Sequence, residues 1–178
     1  MDPGTFDFKR LQQLKQIGIN RISMGVQSFD ENMLKSCGRA HSLSDIYNAL
    51  DALNKSDFDN FSIDLISSLP GMSMNEWDNT LRTAISTPCT HISVYDLQIE
   101  DNTAFGRWYS PGKFPLPNEE LSTEMYKSAV NILVSSGFEH YEVSNYAKPN
   151  KRSIHNQKYW NCESYWGFGL GSASFLSG

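Results

Sequence analysis

The sequence predicts an α/β fold, namely part of a (β/α) TIM-like barrel of parallel strands. Strand-like and helix-like segments alternate at regular spacing without hairpin signals, the pattern of βα units. The strand-like segments carry one apolar face and one face of small polar residues: Ser23/Gly25/Gln27, Ser62/Asp64 and Ser93/Tyr95. Strands of an open sheet covered on both sides read instead as continuous apolar runs. A carboxylate, Asp64, stands inside the middle strand, where it is costly unless paired, and Arg39 is a candidate partner. Four or five strands are too few to close a complete barrel. The expectation is a partial barrel whose polar lumen holds a ligand.

The elements follow in order. Leu11, Leu14 and Ile17, with Phe8 one turn earlier, predict a helix over Thr5–Ile17 that Gly18 stops. Asn20–Gln27 alternates Ile22, Met24 and Val26 against Ser23, Gly25 and Gln27, which predicts a strand with Gln27 at its polar tip. Asp30 caps a short helix to Ser36, and Ser44 caps the next, to Lys55, with Ile46, Ala49, Leu50 and Leu53 as its apolar stripe. A second strand is expected at Phe61–Ile66, and a helix from Asn75 to Thr87 after the Leu69-Pro70-Gly71 break. A third strand covers His91–Leu97. The long loop Gln98–Pro117 comes next, of a length that is often functional. Asn118 caps a helix to Ser136 with Leu121, Met125, Ala129 and Leu133 on one stripe. A short strand near Tyr141–Val143, a short helix near His155–Asn161 and a last strand near Trp166–Leu170 complete the chain.

Composition narrows the function. With a net charge of −5 there is no basic footprint for nucleic acid. No apolar run is long enough to span a membrane. The three cysteines, Cys37, Cys89 and Cys162, are far apart and form no CxxC pair, so neither a disulfide framework nor a zinc ribbon is expected. A reducing compartment is the expected home, the cytoplasm or, in a eukaryote, a mitochondrion or plastid. Pro3-Gly4-Thr5 reads as the turn after a strand that precedes this sequence, and the glycine-rich end reads as a strand and loop that continue. The expectation is an incomplete domain.

The segments GVQSF (Gly25–Phe29), GRAH (Gly38–His41), IDLISSLPG (Ile63–Gly71) and HISVYDLQIE (His91–Glu100) occur in an ordered set. This set resembles the radical S-adenosylmethionine (radical SAM) proteins of the oxygen-independent coproporphyrinogen III oxidase group. EHYEVSNYA (Glu139–Ala147), followed by HNQKYW (His155–Trp160), is similar to the HemW branch, whose HNxxYW motif is tied to haem binding. The resemblance covers essentially the whole chain. It implies a haem-binding chaperone or haem-transfer protein, with oxygen-independent coproporphyrinogen III dehydrogenase of porphyrin biosynthesis as the alternative. Residues 1–100 would be later βα units of the barrel, and residues 101–178 a family-specific extension.

By position the resemblance assigns Gln27, Arg39, Asp64 and Gln98 to S-adenosylmethionine. The chemistry suits them. A carboxylate accepts from ribose hydroxyls, an arginine meets a carboxylate in a bidentate pair, and an amide donates and accepts at once. His155 is the expected ligand of haem iron, with Tyr159 and Trp160 against the porphyrin face. The haem acceptor and the electron donor are not implied.

The chain also departs from the family. CxxxCxxC, the glycine-rich segment that meets the cofactor's amino group, and the C-terminal accessory domain are not in this sequence. Ala173 stands where the family usually has a His. This chain alone is therefore expected to lack the ligands of the 4Fe-4S cluster and the ability to cleave S-adenosylmethionine reductively.

Overall fold

The computed structural model describes residues 1–110 and 113–176. Pro111-Gly112 of the expected long loop and the terminal Ser177-Gly178 lie outside the described residues. Among the described residues twelve elements follow in order: α1 (Phe8–Gln16), β1 (Ile22–Gln27), α2 (Glu31–Ser36), α3 (Leu43–Lys55), β2 (Phe61–Ser67), α4 (Met74–Ser86), β3 (His91–Asp96), α5 (Ala104–Trp108), α6 (Glu119–Ser135), β4 (Glu139–His140), β5 (Asn145–Ala147) and α7 (Ile154–Trp160).

Local chemistry sets the helix starts. Asp30 and Asn118 cap α2 and α6 as expected, each accepting from first-turn amides. Two starts lie upstream of the expected ones. Ser42, not Ser44, caps α3, and Ser73, not Asn75, begins α4. Both serines belong to capping boxes, with Asp45 and Glu76 reaching back to the cap amide, so two orphan donors are satisfied at once.

The strands form one sheet in the order β1-β2-β3-β5-β4. β1, β2 and β3 run parallel, as βα units require. β5 then pairs antiparallel with β3, and β4 antiparallel with β5. The expected strand at Tyr141–Val143 is thus the turn between two shorter strands, and a hairpin is present where none was expected. The expected strand at Trp166–Leu170 is reduced to a single bridge, Tyr165 with Phe175. The long loop contains the short helix α5, capped by Thr103.

The core lies on one face of this sheet. Met24, Ile63 and Ile92 are register partners along it, with Val26, Leu65 and Val94 beside them, all buried. Ile46 and Leu53 of α3, Trp77 and Leu81 of α4, and Leu133 of α6 join the same cluster. α4 packs on α6, and the Trp77 indole donates to the Met125 carbonyl at 2.8 Å, which satisfies its one polar atom. No helix among the described residues is long and apolar enough to cross a membrane.

Candidate functional site

The other face of the sheet is polar, and its register is continuous. Ser23 pairs with Ser62 and Ser62 with His91; Gly25 pairs with Asp64, Asp64 with Ser93, and Ser93 with Asn145. Period-two alternation places all of these side chains on one side. This wall is joined by hydrogen bonds. Ser23 Oγ donates to Asp64 Oδ2 at 2.8 Å, and Ser62 Oγ donates to Asp64 Oδ1 at 3.4 Å. The expected Arg39–Asp64 pair is not present. Two serine hydroxyls satisfy the carboxylate, and the nearby charge is that of Arg21.

The donor count orients the next link. With the Ser62 hydrogen on Asp64, His91 Nδ1, 2.8 Å from Ser62 Oγ, is the donor to it. His91 Nε2 then accepts from Tyr141 Oη, 2.7 Å away, and Tyr141 Oη in turn accepts from the Ser153 amide at 3.2 Å. Burial, aided by the Arg21 charge, pushes the His91 pKa down to about 3, so the imidazole is neutral. Burial also raises the Tyr141 and Tyr95 phenols above their usual range. A parallel branch runs from Ser93 to the Asn145 amide oxygen at 3.0 Å and from Asn145 to Glu142.

Gln27 ends β1 beside this wall. Its φ is +69°, in the left-handed region, and the register with β2 shifts between Gly25 and Gln27. The bulge re-aims the Gln27 side chain back over Gly25. A Cβ on residue 25 would lie 2.8 Å from Gln27 Nε2 and 2.9 Å from Asp2 Oδ1, so glycine is what lets both polar tips approach the strand. Met1 lies along β1: its amino group donates to the Ser23 carbonyl at 2.6 Å, and the Gly25 amide donates to the Met1 carbonyl at 3.0 Å.

Arg39 reaches the same end of the sheet by another route. His41 Nε2 lies 3.3 Å from the Val26 carbonyl, which ties the GRAH loop to the end of β1. Arg39 and Asp2 line one cavity of about 460 Å³ with His41 and Asp45. Gln27, Asp64 and Arg39 are thus arranged around Gly25 and Asp2. Gln98 is not part of this group; it lies exposed on the segment after β3.

His155 and Tyr159 lie at the opposite end. Ser153 caps α7, and His155 lines a cavity of about 760 Å³ with Asn20, Arg21 and Asn60, which stand at the starts of β1 and β2. Tyr159 Oη is 2.6 Å from His155 Nε2, and Tyr165 packs edge-on to both rings. Tyr159 therefore holds the imidazole, and iron at Nε2 would displace that phenol. Trp160 leans on Tyr141, with ring centroids 5.9 Å apart.

Sequence reasoning missed Arg21, His91, Tyr141 and Asp2. Arg21 was within reach, since it shares the parity of Ser23, Gly25 and Gln27. The cysteines do not form a cluster site. Cys89 is buried with its thiol pushed up to about 11, and burial also raises Cys37. Among the described residues no three metal-ligating side chains meet. The residues present therefore do not fit a 4Fe-4S cluster, whereas the Asp64 wall offers the acceptors that S-adenosylmethionine hydroxyls need.

Comparison with known proteins places the chain among radical SAM relatives. Residues 2–84 match the Radical SAM superfamily model. The chain is 43% identical over 178 residues to "Heme chaperone HemW" of Synechocystis sp., covering 100% of this chain and 43% of that protein. It is 35% identical over 177 residues to the protein of the same name from Bacillus subtilis, covering 99% of this chain and 47% of the relative. The chain thus spans less than half the length of these relatives. Coproporphyrinogen III oxidase (HemN) from Escherichia coli, titled a Radical SAM enzyme, superposes with a TM-score of 0.82 at 21% identity, over 99% of this chain and 43% of that one. At that identity the likeness shows the fold alone.

Proposed function

We propose that the chain, whose residues 2–84 match the Radical SAM superfamily model, is part of a radical SAM protein that acts as a haem-binding chaperone or haem-transfer protein, a family that implies S-adenosylmethionine and a 4Fe-4S cluster. The observation that carries this reading is His155. It stands in HNQKYW on α7 and lines a cavity within the size range of small-molecule sites, in a chain whose relatives are named heme chaperones. His155 supplies the imidazole for haem iron, and Tyr159 is displaced from Nε2 to flank the porphyrin.

Gln27, Asp64 and Arg39 form the side of the lumen that receives S-adenosylmethionine. Asp64 accepts from ribose hydroxyls in exchange for its serines, Arg39 meets the ligand carboxylate, and the Gln27 amide bridges to polar groups between them. Gln98, on its exposed segment, contributes through its backbone. Bound at a cluster, S-adenosylmethionine supplies radical chemistry, and the ligands of that cluster come from outside this chain. Residues 1–100 form the later βα units. Residues 101–178 form an extension fastened to them by β5 against β3 and by α6 against α4. Free, separated cysteines favour a reducing compartment, the cytoplasm or an organelle interior.

The test is a haem titration of the full-length protein, followed by the Soret band, with and without His155→Ala. The expected outcome is a shifted band and an affinity at least about tenfold weaker in the variant. An unchanged band and affinity would remove His155 from the site.

A further inference from the structure

The cavity that holds His155 also holds a cation with no partner. Arg21 Nε is buried and makes no hydrogen bond, and the Asn60 side-chain oxygen beside it is likewise buried and unpaired. The other two cations of the lining are engaged: Arg152 with Glu139 at 3.0 Å, and Lys158 with Glu163 at 2.9 Å. Among the described residues Arg21 forms no ion pair. The charge of Asp64 acts on it only through space, because both of that carboxylate's oxygens are taken by serines. Arg21 is half-buried; burying its Nε without a hydrogen bond is costly, and burial accordingly lowers the proton affinity of the group. An arrangement of this kind is relieved by a planar anion that accepts two parallel N–H bonds.

We propose that Arg21, with Arg152 and Lys158 at the rim, receives the carboxylate arms of the tetrapyrrole whose iron His155 ligates. This deepens the haem reading and rests on it. The tetrapyrrole would enter at the starts of β1 and β2, with its carboxylates toward Arg21 and its ring edge toward α7. The cavity lining carries three cations, and with Arg152 held by Glu139 and Lys158 by Glu163 it is Arg21 whose charge is left to attract an anion.

The experiment compares hemin with hemin dimethyl ester, which has the same ring and iron but no carboxylate charge. Both are titrated into the full-length protein and followed by the Soret band. Arg21→Gln and Arg21→Lys are measured alongside, with thermal melts to verify folding. The expected result has three parts: the ester binds the parent protein roughly tenfold or more weakly than hemin; Arg21→Gln lowers hemin affinity most of the way toward that of the ester while leaving the ester's unchanged; and Arg21→Lys recovers part of the loss. Equal affinities for hemin and ester in the parent protein overturn the proposal while leaving the His155 reading intact. If neither compound binds, the haem reading fails and takes this proposal with it. Should Arg21→Gln fail to fold, the ester arm on the unaltered protein decides alone.

Discussion

Met24, Ile63 and Ile92 stand in register on one face of the three parallel strands, and Gly25, Asp64 and Ser93 stand one residue further on, on the other. The first face is filled by helices and satisfied by contact alone. The second is satisfied by direction, since each group there needs a particular donor or acceptor at hydrogen-bond distance. A single pleat thus separates the part of the molecule that sets stability from the part proposed to receive ligands. Exchanges on the first face should change folding and leave binding per folded molecule intact; exchanges on the second should do the reverse.

Ile63→Ala gives the largest effect. Ile63 is fully buried between β1, β3 and the helix layer. Its truncation should cost roughly 2–5 kcal/mol in urea unfolding, the transfer loss plus a cavity. A loss below about 1 kcal/mol would mean that the helices do not press on this face. Asp64→Asn is the matching change on the polar face. It keeps shape and one acceptor but removes the charge. S-adenosylmethionine affinity of the reconstituted full-length protein, measured by equilibrium dialysis, should fall roughly 10- to 100-fold, while stability changes by about 1 kcal/mol. Undiminished affinity would return Asp64 to a structural role.

How much of this was legible beforehand follows the same division. The apolar stripes, the period-two alternation and the caps at Asp30 and Asn118 are local signals, and the parallel βα core was read from them. Gln27 and Asp64 were legible because a polar residue at an inward position of a strand is conspicuous. Partners were not legible. Arg39 was expected at Asp64, but the hydroxyls of Ser23 and Ser62 hold it, and one of these comes from another strand. Tyr141–Val143 has strand-forming residues, yet the pairing partners of its flanks, at Ser93 and Tyr146, decided that it turns. His91 gave no signal, because its environment is assembled from residues 29 and 50 positions away.

That distance makes His91 the sharpest probe of the polar face, because it joins the Asp64 wall to the α7 end through Tyr141 and the Ser153 amide. Its folded pKa is about 3, whereas an unfolded histidine titrates near 6.5. Between those values the unfolded chain binds a proton that the folded chain refuses. Stability therefore falls as pH drops below about 6.5, and the loss is complete only near the folded value. At pH 5.5 the penalty is about 1.4 kcal/mol, below the cost of truncating Ile63 and at the low end of the Asp64→Asn affinity loss. Asp45, Asp59 and Glu163, whose carboxyls are held below their usual range by hydrogen bonds, titrate beneath this window and do not mask it. Unfolding midpoints measured from pH 7 to 5.5 should fall for the parent protein and stay nearly flat for His91→Gln, which offers hydrogen bonds but no titration. Parallel slopes in the two proteins would show that His91 takes up its proton in the fold as readily as in the unfolded chain. Nε2 would then donate to Tyr141, and that one bond would reverse while the bonds from His91 to Ser62 and from Ser62 to Asp64 kept their direction.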